Sequence, residues 1–472
     1  MKIQNKVLFQ VAGMIFLIMS QSNSYAAAVV LMPSTISQVM AQYTQPINMA
    51  GLRDSTFGIQ GLVTTDVRPG SESRAYSCAQ QSDGKIISAG FSSNGVNKVF
   101  TIIRYTTSGV LDPSFGNEGV VTTNITPTHD SQANSCAIQS DGKIIAAGYG
   151  TVGAQLVFAV ARYNSDGSLD TTFGNQGIMT TDLNPGHNSE ARACALQSDG
   201  KIIVVGYMND GVFDIFATVR YTADGILDNT FNGGGTATIN VFPGGYSQGN
   251  SCVVQPDGKI LVVGGAFSDN LVALVRYNTD GTFDQSFGDG GVVTTDAMNG
   301  LGGSVARSCA LQSDGKIVAA GYGSNGAHAV FVVVCYLANG SVDQTFGNAG
   351  VVITDVLPGQ ASEAVCCVVQ LDGRIIVAGS GDGAVSRICI VVRYLTNGSL
   401  DQSFGNQGVI LTAATPGPGN DSRINGCVLQ SNGEIVATGF ASGANFFFAT
   451  LRYINPFTLP SFTASYGGVG LV

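Results

Sequence analysis

A fifteen-residue stretch, SCAIQSDGKIIAAGY from Ser135 to Tyr149, recurs with small changes through the chain and restricts what it can fold into. Cys136 and Ile138 precede Ser140-Asp141-Gly142-Lys143, and Ile144 and Ile145 follow it. Asp-Gly between two β-branched apolar runs is a strong hairpin signal, because glycine takes the left-handed backbone of a tight turn without a steric penalty. The other copies are centred on Cys78, Cys194, Cys252, Cys309, Cys367 and Cys427. A second marker, the Phe of L-D-x-[ST]-F-G, falls at Phe57, Phe115, Phe173, Phe231, Phe287, Phe346 and Phe404, with a degenerate eighth at Phe462. Successive spacings are 58, 58, 58, 56, 59, 58 and 58 residues. So regular a period marks one supersecondary unit copied seven times, and it overrides the two or three domains that 472 residues would otherwise suggest.

One unit divides into four short strands, at 119–123, 133–139, 143–148 and 157–163, followed by an Asn164-Ser165-Asp166-Gly167 turn and the L-D-x-[ST]-F-G link. Apolar residues occupy both faces of the last two strands, as expected for a sheet sandwiched between neighbours. Only 11% of residues are charged, 63 are glycine and none is Trp, a turn-rich β profile. The expected fold is all-β, a seven-bladed β-propeller with four antiparallel strands per blade.

L-D-x-[ST]-F-G-x-x-G together with Q-S-D-G-K-I and F-x-x-x-R-Y resembles the delta-60 repeat family of bacterial β-propellers, from Leu52 to about Tyr453. The resemblance implies a propeller, usually in exported or surface proteins, and no common catalytic activity. Kelch, chromosome-condensation-regulator and quinoprotein propellers have similar periods, but their double-glycine or Trp motifs are missing. Pro256 and Leu371 replace the turn Ser, Asn432 and Glu434 alter the last hairpin, and Cys335 stands where other units have Arg.

The expected organisation is a signal peptide over 1–26, an N-terminal segment over 27–51, the propeller over 52–458, and a C-terminal tail over 459–472 that starts a degenerate eighth repeat. Lys2 and Lys6 form a positive n-region, Val7 to Met19 an apolar h-region, and Ser24-Tyr25-Ala26 or Ala26-Ala27-Ala28 a small-residue cleavage site. The mature chain would then be extracytoplasmic, in the periplasm, at the cell surface or secreted, with no transmembrane span. In the 27–51 segment Ile36, Val39, Met40 and Tyr43 have helical spacing, which leaves a short helix and a spacer both open. The net charge of −10 becomes −12 without Lys2 and Lys6, and no Lys/Arg cluster offers the footprint that a nucleic acid needs.

Repeated residues read as architecture, since catalysis needs one asymmetric constellation. Ser73, Ser131, Ser189, Ser247, Ser304, Ser362 and Ser422 stand five residues before each repeat Cys and are expected to satisfy backbone groups. The seven repeat cysteines read as small buried hydrophobes, spaced too widely for bridges among themselves, while Cys335, Cys366 and Cys389 fall outside the series. Arg104, Arg162, Arg220, Arg276 and Arg393 each precede an Asp by eight residues, at Asp112, Asp170, Asp228, Asp284 and Asp401, and predict buried ion pairs. Arg452 has Pro460 in that slot and Asp54 lacks its preceding Arg, so ring closure is expected to pair Asp54 with Arg452. The Asp-Gly turns, such as Asn278-Thr279-Asp280-Gly281, lack the ligand spacing of calcium loops and read as turns.

With the short strand of each unit taken as innermost, Asp66, Asn124, Asp182, Asn240, Asp296 and Asp355, with Ala413 in the seventh unit, would ring one mouth of the central channel. Such oxygens suit calcium or magnesium, although Asp and Asn also simply begin Asx turns. His129, His187 and His328 are the only histidines, and the first two occupy similar loops. The variable loops, for example 182–191, 240–250 and 413–425, share one face with the turns between the third and fourth strands of each unit, and there a protein, carbohydrate or small ligand would bind. The favoured function is an exported binding or interaction module without chemistry or cofactor of its own. The alternative is a metal-dependent hydrolase or lyase at the channel mouth.

Overall fold

Each Asp-Gly turn joins two antiparallel strands, and a third and a fourth strand complete a four-stranded sheet. The computed structural model describes residues 50–267, 271–414, 420–443 and 445–455, together with strands Lys6–Val11, Met14–Gln21 and Ser24–Ala28. Those three strands form an antiparallel meander within a separate unit, Met1–Asn48. The expected helix or spacer over 27–51 and the Phe462 tail lie almost wholly outside the described residues. Among the described residues there is no helix, hence none long and apolar enough to cross a membrane.

The described residues from Ala50 to Asn455 form a seven-bladed β-propeller. Blade 1 comprises Ser73–Gln80, Ile86–Ser93, Lys98–Tyr105 and Val120–Thr123, in that spatial order. Blades 2 to 6 repeat it, beginning at Ser131, Ser189, Ser247, Ser304 and Ser362. The first strands of successive blades pack on one another around the whole ring, so they line the axis and the four-residue fourth strands form the rim. The expectation that the short strand is innermost is therefore corrected. Small residues such as Ala133, Ser135 and Cys136 let the first strands crowd together near the axis, whereas Val-Val-Thr-Thr, with only its last residue well buried in blade 1, suits the edge where blades diverge.

Each first strand carries a bulge, between Ala75 and Ser77 in blade 1 and at the matching place in the others. The bulge brings a carbonyl against the second strand: a Cβ on Gly148 would lie 1.9 Å from the Gln132 carbonyl oxygen. Only glycine fits there, which explains the repeated Gly of I-I-x-x-G. The core lies between blades, as where Ile145, Phe158 and Val160 of blade 2 pack with Ile202, Val204 and Val219 of blade 3 and the linker Phe173. Full burial of each such side chain contributes about 1.5–3 kcal/mol.

The seventh blade closes the ring with strands from both ends of the chain. Ser422–Leu429, Ile435–Ser442 and Phe446–Tyr453 take Leu62–Thr65 as their outer strand, with Phe448 opposite Thr65 and Leu451 opposite Leu62. The expected closure pair is present: Arg452 Nε donates to Asp54 Oδ2 at 2.7 Å. It repeats the pairs within blades, such as Arg220 Nε to Asp228 Oδ2 at 2.7 Å and Arg104 Nε to Asp112 Oδ2 at 2.8 Å. In each the guanidinium lies over the linker Phe, at 4.7 Å for Arg452 over Phe57, and reaches a turn of the following blade, as Arg162 does at the Ala223 carbonyl. The hairpin Lys joins the same carboxylate, Lys143 at 2.9 Å from Asp170, except that Arg374 replaces it in blade 6 and Glu434 in blade 7. In blade 5, where Cys335 replaces Arg, Asp343 keeps Lys316 at 3.0 Å.

Candidate functional site

The first strand of each blade mixes repeated and unrepeated positions. Counting from its leading Ser, the second residue is Arg74, Gln132, Glu190, Gln248, Val305, Glu363 or Arg423, and the fourth, at the bulge, is Tyr76, Asn134, Arg192, Asn250, Arg307, Val365 or Asn425. Opposite the second residue, the adjoining strand presents Phe91, Tyr149, Tyr207, Gly265, Tyr322, Ser380 or Phe440. These positions sit where the axial strands begin, at the end of the disc that also carries the variable loops. Together they form a collar of arginines, carboxylates, amides and aromatic rings around the axis.

The collar is cross-linked from blade to blade. Asn134 Nδ2 donates to Glu190 Oε1 at 3.1 Å and to the Ala191 carbonyl at 2.8 Å, while the Tyr207 hydroxyl donates to Glu190 Oε2 at 3.2 Å. The Arg192 guanidinium lies 5.3 Å from the Tyr207 ring and donates to Gln248 Oε1 at 3.4 Å. Gln248 Nε2 in turn donates to Asp214 Oδ2 at 2.9 Å. Across the ring, Arg74 stacks on Phe440 at 4.6 Å and Phe446 at 4.3 Å, and Arg307 donates to the Tyr322 hydroxyl at 3.2 Å. The Nε groups of Arg74 and Arg423 are buried and have no hydrogen-bond partner.

The electrostatics follow from this crowding. Burial, then the charges of Glu190 and Asp130, push the Tyr149 phenol well above its ordinary range, and burial and Glu190 do the same to Tyr207. Both stay protonated near neutrality, which lets Tyr207 donate to Glu190. Burial and the nearby Arg387 lower Arg423. Outside the repeated Arg–Asp–Lys network and the leader, the cations are Arg53, Arg68, Arg74, Lys98, Arg192, Arg307, Arg387 and Arg423. All but Arg53 lie at the collar end of the disc, where Arg74 pairs with Glu72, Arg192 lies 3.5 Å from Glu190, and Arg387 lies 3.2 Å from both Glu363 and Asp382. A polar groove of about 370 Å³, lined by Gln155, His187, Asn188, Tyr207, Asn209 and Asp214, meets the collar between blades 2 and 3. A larger cleft, about 800 Å³, lies on the rim against outer strands around Ile239 and Val292–Thr295.

The oxygen ring expected at the channel mouth is displaced. Asp66, Asn124, Asp182, Asn240, Asp296 and Asp355 follow the outer strands and stand at the rim, one blade-width apart, because the short strand is outermost. Asn240 Oδ1 accepts from the Phe242 N–H at 3.1 Å, and Asp296 accepts from the Met298 and Gly300 N–H groups at 3.0 and 2.7 Å, which is Asx-turn chemistry. Among the described residues no three His, Cys, Asp or Glu side chains group as metal ligands. His129 bonds within its own loop, His187 lines the groove, and His328 lies 3.2 Å from Asp355. The expected role of the Ser series holds in part: Ser422 accepts the Ala414 N–H at 2.9 Å and Ser73 reaches the Phe446 carbonyl at 3.4 Å, while the buried hydroxyls of Ser131, Ser189, Ser247 and Ser362 have no partner. The collar was overlooked by sequence reasoning although its signal was visible, in R-A-Y-S-C, E-A-R-A-C and V-A-R-S-C, where unlike residues alternate with repeated ones.

Comparison with known proteins agrees with this architecture. The family model described as "Domain of unknown function (DUF5122) beta-propeller" matches residues 81–115, 139–173, 197–231, 255–287, 312–346 and 370–404, the hairpin-to-linker parts of blades 1 to 6. No curated protein matches the sequence. Among solved structures, polysaccharide lyase Uly1 is similar at 11% identity and TM-score 0.46, covering 86% of this chain and 96% of that one. Sqt1 from Chaetomium thermophilum, bound to the N-terminus of the ribosomal protein L10, is similar at 15% identity and TM-score 0.43, covering 81% and 96%. Six blades carry that family's repeat and a seventh completes the ring, so the chain is a β-propeller built of such repeats.

Proposed function

We propose that the protein is an exported binding module that holds an acidic oligosaccharide at the collar, without chemistry of its own. The observation that carries this reading is the union of guanidinium groups with aromatic faces at the collar: Arg74 and Arg423 lie over Phe440, and Arg192 and Arg307 lie over Tyr207 and Tyr322. Guanidinium forks suit carboxylate or sulfate, and aromatic rings suit the apolar face of a sugar. Amides at Gln132, Asn134 and Gln248 complement hydroxyls. The signal-like leader supports export.

Isothermal titration with hexuronate oligosaccharides and their neutral counterparts tests the reading. Binding of the acidic series alone is expected, weakened at least about tenfold by Arg192→Ala or Arg307→Ala, the scale of losing one charged hydrogen bond. Equal binding of neutral sugars, or indifference to both substitutions, would overturn it. Release of shortened product during the titration would favour the hydrolase or lyase alternative.

A further inference from the structure

Beside the axis, the fifth residue of one inner strand meets the repeat cysteine of the next. Ser77 Oγ lies 3.6 Å from Cys136 Sγ, Ser135 Oγ 3.4 Å from Cys194 Sγ, Ser251 Oγ 3.7 Å from Cys309 Sγ and Ser308 Oγ 3.6 Å from Cys367 Sγ. Three of these hydroxyls also accept the cysteine's backbone N–H, at 3.2, 3.1 and 3.0 Å. Between blades 6 and 7 the serine is replaced by Cys366, so a thiol stands where the others have a hydroxyl, facing Cys427. At the four serine junctions the fifth-position side chain stands 3.4–3.7 Å from the next strand's cysteine sulfur, so a thiol at that position is brought into contact with the facing thiol, the approach a disulfide needs.

We propose that Cys366 and Cys427 are a redox pair that closes to a disulfide between blades 6 and 7. The Cys366 thiol is already within hydrogen-bonding reach of Cys427, and burial raises its pKa well above the ordinary value. Cys427 is the more exposed of the two and is the entry point. Its thiolate attacks a small disulfide such as oxidised glutathione and expels one glutathione thiolate. Cys366 then loses its proton and attacks the mixed disulfide, expelling the second. Two protein thiols are oxidised, one glutathione disulfide is reduced to two thiols, and no other oxidant is needed. The other six repeat cysteines face serine, alanine or glycine in the preceding blade and stay reduced.

The test uses the full chain, equilibrated with mixed oxidised and reduced glutathione, alkylated and digested without reduction. Mass spectrometry is expected to find the peptides of Cys366 and Cys427 joined, and thiol titration of the denatured protein to count two fewer than the ten cysteines. Cys366→Ser recreates the serine–cysteine contact of four other junctions, so it is expected to fold with an unchanged circular dichroism spectrum and no cross-link. A folded wild-type protein that keeps all ten thiols, or one whose cross-links join other cysteines, would overturn the proposal.

Discussion

Replacing Asp54 by Ala should weaken the ring at the one seam that joins the two ends of the propeller. Asp54 is 4% exposed, accepts the Arg452 Nε at 2.7 Å, and takes the Thr56 N–H and hydroxyl at 2.9 and 2.7 Å on its other oxygen. Removing one partner of a buried ion pair costs about 3–5 kcal/mol, most of it for the charge left behind. Here Arg452 keeps a second carboxylate, because Glu434 lies 3.2 Å away where other blades have Lys or Arg. The expected loss is therefore about 2–3 kcal/mol, below the bottom of that range. Asp228→Ala is the control. It leaves Arg220, 3% exposed, with Lys201 as its neighbour in place of an acid, and should cost about 4–5 kcal/mol. Urea unfolding followed by the fluorescence of the 15 tyrosines, undisturbed by Trp, measures both. A loss under about 1 kcal/mol for Asp54→Ala, the value of an exposed pair, or a loss exceeding that of Asp228→Ala, would refute the argument.

Acid should unfold the propeller steeply: hydrogen bonds from Thr230 and the charge of Arg220 outweigh burial and hold Asp228 at about 2, and Asp54, Asp112, Asp170, Asp284 and Asp401 are lowered likewise. Folded values below unfolded ones mean that this stability is complete above about pH 4 and disappears as pH falls toward 2; a melting temperature equal at pH 6 and pH 3 would contradict it. Tyr163→Phe deletes a hydroxyl that donates to Thr123 at 2.9 Å and should cost about 1 kcal/mol. Tyr277→Phe should cost less in the same urea assay, because Ile239 stands where that threonine would be and leaves the Tyr277 hydroxyl only a poorly aligned contact with Thr218. Cys335→Arg supplies the missing guanidinium beside Asp343 and Phe346, and should raise stability by about 1 kcal/mol, read as a higher urea midpoint.

The period, the blade count and the Arg–Asp pairing were legible because each rests on short-range chemistry repeated seven times. Asp141 accepting the Lys143 N–H at 3.1 Å is the Asp-Gly turn read directly from sequence. Strand order was not legible. A hairpin pattern says which strands are neighbours but not which end of the sheet faces the axis, and that choice depends on how tightly neighbouring blades pack. With Ala133, Ser135 and Cys136 recognised as the crowded edge, Arg192 and Glu190 would have come to the channel and Asp182 would have gone to the rim. Nor could spacing show that Cys366 stands against Cys427, since that contact crosses blades through the bulge.

Because Leu62–Thr65 waits for Phe446–Tyr453, the disc has no complete seventh blade until that last propeller strand has been made. Arg452 and Asp54 are 398 residues apart in sequence, and contacts of such range form late and slowly. During synthesis the early blades can stack while the circle stays open, with an unpaired edge at each end. Under the export proposed above that delay is useful: the propeller stays threadable until Phe446–Tyr453 emerges, and locks only when its two seam strands meet.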